Sequence, residues 1–261
     1  MSTESISAWG IVAMYCLLAI PFGVLLWARL SILGQAALSI IRMSVQLLFV
    51  GIYLEVVFRL NNPWLNLLWL LVMVAVADGS ILKGCGLRLW PLAGPLFVAL
   101  IVGVAVPLLY FIAFILGHSE LLDAQYAIPI GGMILGNCLR ADIIGIRSFF
   151  LNIRKSEKAY FQRLADGATL AEATRPYLTH ALHEAIAPTL ATIATTGLVS
   201  LPGMMTGVIL GGAKPMTAIL YQIAIMIAIF TGTSITVLLG IQLCRRIGFT
   251  PWGTLNAAIF R

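Results

Sequence analysis

Seven stretches of this sequence are each apolar over roughly the 20 residues that a helix needs to cross a hydrocarbon layer of about 30 Å. They cover residues 9–27, 36–58, 64–81, 90–116, 127–149, 181–201 and 215–243. At 61% apolar and 10% charged residues, with a mean hydropathy of +1.01, the chain is far from a soluble domain, of which about 25% is charged. Backbone polar groups in lipid must be satisfied within the segment that carries them, so apolar runs of this length read as helices. The first run is too long, and too poorly followed by small-residue cleavage chemistry, for a removed signal peptide. The expected fold is all-α and polytopic: about seven transmembrane helices in a single domain over residues 1–261, with an amphipathic helix and a short coupling helix between two of the spans.

The basic residues orient the bundle. With the N-terminus outside, twelve of the 16 Lys and Arg residues fall on the inner side: Arg29, Lys83, Arg88, Arg147, Arg154, Lys155, Lys158, Arg163, Arg175, Arg245, Arg246 and Arg261. The outer side keeps Arg59 and Lys214 with acidic Glu4, Glu120 and Asp123. That asymmetry is the positive-inside bias, and an odd number of spans gives a cytoplasmic C-terminus in a cell (inner) membrane. It also accounts for the net charge of +6 without nucleic acid. Cys16, Cys85, Cys138 and Cys244 lie in or beside apolar runs with no paired spacing, so they read as small core residues, not a disulfide framework or a zinc site.

The one long polar stretch, residues 147–183, is then cytoplasmic. Phe150, Ile153, Tyr160, Phe161 and Leu164 recur among its charges, which predicts an amphipathic continuation of the fifth span. Asp166-Gly167 ends that helix, with Gly able to take the left-handed conformation. Thr169 followed three residues later by Glu172 is a capping-box pattern opening a second helix. Pro176 does not favour its continuation, which predicts a short helix lying at the membrane surface.

LADGATLAEA (Leu164 to Ala173), with Pro188 beyond it, resembles the coupling-helix motif of ABC transporter permeases. The strings IAPTLATIATTGLVSLPGMMTGVILGG (186–212), RMSVQLLFVGIYLEVVF (42–58), IPIGGMILGN (128–137) and AILYQI (218–223) resemble the FetB-like family of membrane subunits. The similarity runs from about Arg42 onward. It implies a permease whose bacterial members are associated with iron export and whose plant members are linked to aluminium tolerance. It further implies that Leu164, Asp166, Gly167, Ala168, Thr169, Glu172 and Ala173 contact a separate cytoplasmic ATPase, which would bind ATP and Mg in place of this chain. The family more often has an apolar residue at the position of Asp166, Glu at that of Gln162, and Ala-Met or Ser-Met at that of Cys138-Leu139.

Polar residues inside the spans mark a candidate pathway. Arg42 and Gln46 share one face of the second span, as Asn137 and Arg140 do on the fifth. A charge at such depth costs at least about 2.5 kcal/mol and turns toward the bundle interior or a wet cavity; Arg42 also lies close enough to its span's inner end to snorkel. Arg140 and Asp142 are equally suited to pairing with other helices. Gly131, Gly132, Gly136 and Gly197 permit close helix approach. Pro202 and Gly203 break a helix near the outer membrane depth, where irregular backbone is tolerated only in protein or along a cavity. Met204 and Met205 follow as gap-fillers or thioether donors. His180, His183 and Glu184 lie close together at a wet helix end, and Asp78 and Glu55 at span ends read as interfacial groups.

No GxxxxGK[ST] string occurs, so a P-loop of this chain does not cradle ATP, and no His is positioned for catalysis. The reading is a non-enzymatic permease subunit, carrying a metal ion such as iron and pairing with a second copy of itself because two ATPase subunits need two coupling surfaces. A stand-alone secondary transporter or channel is the other reading; the usual signature of two broken helices in corresponding halves is met here by one.

Overall fold

The computed structural model describes residues 7–86, 89–117, 122–250 and 252–256 of the 261. Glu4, Arg88, Glu120 and Arg261, used in the charge count, lie outside them. The described chain is helical and divides into two packing units, 1–60 with 210–212, and 61–209 with 213–261.

The first unit contains α1 (Ala8–Cys16), α2 (Ala19–Trp27) and α3 (Leu33–Leu60). The run expected as one helix is thus broken at Leu17 and Leu18, although its 19 residues together remain long and apolar enough to cross a membrane. Ser7 caps α1 by accepting from the Gly10 N–H at 3.1 Å. The Tyr15 hydroxyl meets that of Ser44 on α3, and Ser44 in turn donates to the Ile40 carbonyl. No residue of Trp9–Trp27 is buried within the chain, and on α3 Val57 alone is.

The second unit is a bundle of α4 (Pro63–Cys85), α5 (Leu89–Tyr110), α6 (Ala124–Lys155), α8 (Leu170–Thr195) and α10 (Pro215–Gly248), with the shorter α7 (Glu157–Ala165) and α9 (Gly203–Leu210). Contacts set its directions. Gly131 and Gly132 of α6 lie beside Leu70 and Met73 of α4, while Gly84 lies beside Ile143, so α4 and α6 run parallel. Gly232 of α10 sits on Ile134 and Cys138, and Val237 on Gly145, so α10 runs with them. Leu96 and Ala99 face Gly240, whereas Gly103 faces Gly232 and Thr236, so α5 is antiparallel.

α8 also runs antiparallel: Thr174 accepts from Arg245 at 3.2 Å at one end of the bundle, and Ala181 and Ala185 approach Gly145 further in. Among the described residues six spans, with α1 and α2 counted together, are long and apolar enough to cross a membrane. α8 is not among them, yet its 26 residues reach about 39 Å and carry the chain back between two parallel spans. The short surface helix expected after Thr169 is therefore corrected: it is the first part of α8, which continues through Pro176 and Pro188. Pro176 removes one backbone hydrogen bond, a cost of about 3 kcal/mol in an isolated helix, and the burial of Ala173, Thr174, Ala181 and Ala185 along the same helix offsets it.

Two packing features hold this bundle. First, α5 and α10 cross with their backbones in contact: a Cβ on Gly232 would stand 2.9 Å from the Gly103 carbonyl oxygen and 2.8 Å from Ile134 Cγ2. Second, the chain after α10 folds back on α7. The Tyr160 hydroxyl donates to the Gly253 carbonyl at 2.7 Å, and Phe249 packs among Phe149, Phe150 and Tyr160 with ring centroids 6.5, 6.4 and 5.8 Å away. Burial, with Tyr177 beside it, pushes the Tyr160 phenol up to about 12, so it remains a donor at neutral pH.

Gly232→Val is expected to destabilise the purified protein in detergent by about 1–3 kcal/mol or more. Gly79→Ala, whose added methyl meets nothing within 4 Å, should be neutral or stabilising by up to about 1 kcal/mol. Equal thermal transitions for the two variants would contradict the close crossing. Tyr160→Phe leaves the buried Gly253 carbonyl without its donor and should cost about 1–3 kcal/mol in the same measurement.

Candidate functional site

Two places gather the residues that the sequence singles out. The first is the elbow between α7 and α8. α7 ends at Asp166, whose carboxylate accepts from Gln162 Nε2 at 2.9 Å, and the chain turns through Gly167 at φ +92. No β-branched residue adopts that conformation without strain. Thr169 then caps α8. Its side chain accepts from the Glu172 N–H at 3.3 Å, while Glu172 Oε2 accepts from the Thr169 N–H at 2.8 Å and its hydroxyl at 2.7 Å. Those two Thr169 donors, the hydroxyl foremost, hold the Glu172 carboxyl below its ordinary range.

The elbow has two faces. Leu164 and Ala168 pack against the core and Ala173 is fully buried, whereas Asp166, Gly167, Thr169 and Glu172 are exposed. The inner face is fixed to the bundle through Tyr160 and the folded-back chain, with Leu164 Cδ1 so close to Gly253 that a Cβ there would stand 2.9 Å from it. All seven expected coupling residues thus form one compact, rigidly mounted turn.

The second place is a cavity of about 460 Å³ between α6, α8 and α10. On α6 it is lined by Met133, Asn137, Arg140 and Ile144, spaced as one helical face. Its α8 wall is Pro188, Thr189, Thr192 and Thr196, and Gln222 and Met226 close it from α10. At one end α8 stops and residues 196–202 form a tight turn, with Gly197 at φ +89 donating to the Ser200 carbonyl at 2.9 Å. Pro202, Gly203 and Met204 follow along the cavity wall. The helix break therefore lies along a cavity, where the absence of regular hydrogen bonding is tolerable at membrane depth.

Of the eight expected pathway residues, the cavity collects Asn137, Arg140, Pro202, Gly203 and Met204. Met205 is buried and lines an adjoining cavity of about 410 Å³ that shares Gln222 and Met226. Arg42 and Gln46 are described with the first unit, one turn apart on α3 and exposed there.

Asp142 does not pair with Arg140. It is fully buried between α6 and α10 with no hydrogen-bond partner on either oxygen. The neighbouring Thr236 hydroxyl donates to the Thr233 carbonyl at 3.2 Å instead. His180 meets Glu184 at 3.3 Å and Arg59 meets Glu55 at 3.6 Å, each pair one helical turn apart at an exposed position. Among the described residues, no three His, Cys, Asp or Glu side chains cluster in a way that would hold a metal ion.

The sequence reading missed Gln222, Thr189, Thr192 and Thr196. Their signal was present: small hydroxyl residues at helical spacing along α8, and one amide in an otherwise apolar stretch of α10.

Residues 8–249 match the Uncharacterised protein family (UPF0014). Among similar proteins, the UPF0014 membrane protein slr1647 of Synechocystis is 34% identical over 216 residues, 83% of either chain. The protein ALUMINUM SENSITIVE 3 of Arabidopsis thaliana is 30% identical over 232 residues, 89% of this chain and 84% of that one. The Escherichia coli protein named "Probable iron export permease protein FetB" is 30% identical over 208 residues, 80% of this chain and 79% of the other. No solved structure matches the chain. With a family match over nearly its whole length and the expected polytopic helical fold, this chain belongs to the UPF0014 family of membrane proteins, the group that contains the FetB-like permease.

Proposed function

We propose that this chain is the membrane-spanning permease subunit of an ABC transporter, exporting a metal ion such as iron and energised by a separate ATPase that binds ATP and Mg. The observation that carries this reading is the elbow at Asp166-Gly167: an exposed turn, capped on its α8 side and anchored through Tyr160 on its α7 side. A turn held so firmly transmits a push instead of absorbing it. The choice of cargo follows the name of the Escherichia coli relative.

In this reading the basic end of the bundle, with Lys155, Lys158, Arg163, Arg245 and Arg246, faces the cytosol, the N-terminus lies outside, and the whole chain acts as one permease domain beside a second copy. Closure of the ATPase pair displaces the Asp166–Glu172 turn. α8 carries that displacement directly, because the helix that begins at the elbow also walls the cavity with Pro188, Thr189 and Thr192. Pro188 has no N–H for the Glu184 carbonyl, which gives α8 a compliant point where it enters the cavity wall. Arg140 and Asn137 on the facing α6 then meet a cavity that opens alternately to either side.

Purification of the tagged protein from its native membranes under mild detergent should bring down an ATPase subunit, and the complex in liposomes should hydrolyse ATP faster with iron than without. A protein that emerges alone and moves ions without nucleotide would establish the secondary-transporter reading instead. Gly167→Val strains the turn by about 1–3 kcal/mol and is expected to abolish metal-stimulated ATP hydrolysis while the protein still inserts and elutes as the parent does. Intact coupling in that variant would remove the elbow from the mechanism.

A further inference from the structure

The cavity between α6, α8 and α10 has a lining that a naked metal ion does not explain. Among the described residues no Asp, Glu, His or Cys lines it, and those are the side chains that hold iron; the thioethers of Met133, Met204 and Met226 suit softer ions such as Cu(I). Its ionised lining group is a cation, Arg140, which no carboxylate pairs among the described residues. A guanidinium repels a bare cation and presents a planar fork of donors suited to carboxylate or phosphate.

The remaining polar groups offer oxygens. Asn137 gives one Nδ2 hydrogen to the Met133 carbonyl at 2.8 Å and keeps Oδ1 as an acceptor with the second N–H beside it. The Thr192 and Thr196 hydroxyls donate to the carbonyls of Pro188 and Thr192 at 3.0 and 2.7 Å, so what each still offers is lone pairs. Gln222 is the decisive group: it is only 6% exposed, it lines the cavity, and its Oε1 has no hydrogen-bond partner. A buried amide oxygen in that state is costly until a ligand supplies the donor.

We infer that this cavity binds a hydroxylated organic carboxylate, with its carboxylate on Arg140 and a hydroxyl donating to Gln222 Oε1. A metal carried by this route crosses as the complex of such an anion. The inference rests on the transport reading for the use of the cavity as a path, but the binding step needs no ATPase, so the two fail separately. An ATPase that co-purifies beside a chain that binds no anion sinks the inference alone; anion binding by a chain that captures no ATPase sinks the coupling alone.

The test is equilibrium binding to the purified full-length chain in detergent, with ¹⁴C-citrate, ⁵⁵Fe(III)–citrate, and ⁵⁵Fe(II) kept reduced without a chelator. Saturable binding of citrate, of its iron complex, or of both is expected; binding of citrate alone identifies the free anion as ligand, and binding of the complex alone identifies the chelated metal. Arg140→Gln should weaken that binding at least tenfold, and Arg140→Lys should recover part of it. Gln222→Glu places a carboxylate in the same wall and should abolish citrate binding. Gln222→Leu removes the acceptor and should weaken it about fivefold, which keeps the test decisive if an arginine variant fails to fold. Chelator-free ⁵⁵Fe(II) bound as tightly in Arg140→Gln as in the parent, or no citrate bound in either form, overturns the inference.

Discussion

Everything in the larger unit hangs on the crossing of α5 and α10 at Gly103 and Gly232, where one backbone carbonyl lies within van der Waals reach of the opposite helix. Helices in lipid are not driven together by the hydrophobic effect, since the tails are as apolar as leucine; they associate by close packing. An approach this close multiplies dispersion contacts along both helices and sets α10 deep in the bundle. From there α10 meets α6 through Ile134, Cys138 and Gly145, and α8 through Arg245 and Thr174. The cavity exists because this packing stops short of closing between α6, α8 and α10 on the side toward Gln222. Above it the α8 helix has already ended, and the turn at residues 196–202 cannot fill the wedge.

The elbow and the cavity are two ends of one object. The capped start of α8 and the wall residues Thr189 and Thr192 belong to a single helix, whose hydrogen bonding is interrupted at Pro176 and Pro188. The opposite side of the elbow is clamped by the Tyr160 hydroxyl on Gly253 and by the Phe249 aromatic cluster. α7 is therefore held with α6 and the end of α10.

Much of this was legible in the sequence because the rules involved are local. The spans follow from apolar length, the α8 start from Thr169 and Glu172 three residues apart, and the end of α7 from a glycine that takes φ +92. Asn137 and Arg140 share a face because helical spacing puts them there. What escaped is what long-range contacts decide. Pro176 reads as a stop, yet burial of Ala173, Thr174 and Ala181 against the bundle carries the helix through it. The split of the first span at Leu17 and Leu18 did have a local signal, which the sequence reading missed: Pro21, one turn on, has no N–H for the Leu17 carbonyl. The π-helical close of the α5 span at Phe111–Leu116 leaves no mark in an uninterrupted apolar run. The clasp of Tyr160 on Gly253 joins positions 93 residues apart, and no periodicity encodes such a pairing.

Arg140 and Asp142 show how one helix separates charges that the sequence sets almost side by side. Two positions apart on a helix are about 200° apart around its axis, so they face opposite ways. Arg140 is thereby turned to the cavity, while Asp142 is driven into the contact with α10, where neither oxygen finds a donor. Had the two paired, the one ionised side chain among the described residues lining the cavity would have been neutralised. The carboxyl left without a hydrogen-bond partner is the cost of that arrangement. It sits in the α6–α10 seam beside Cys138 and Thr236, so any motion that opens this seam to water relieves it.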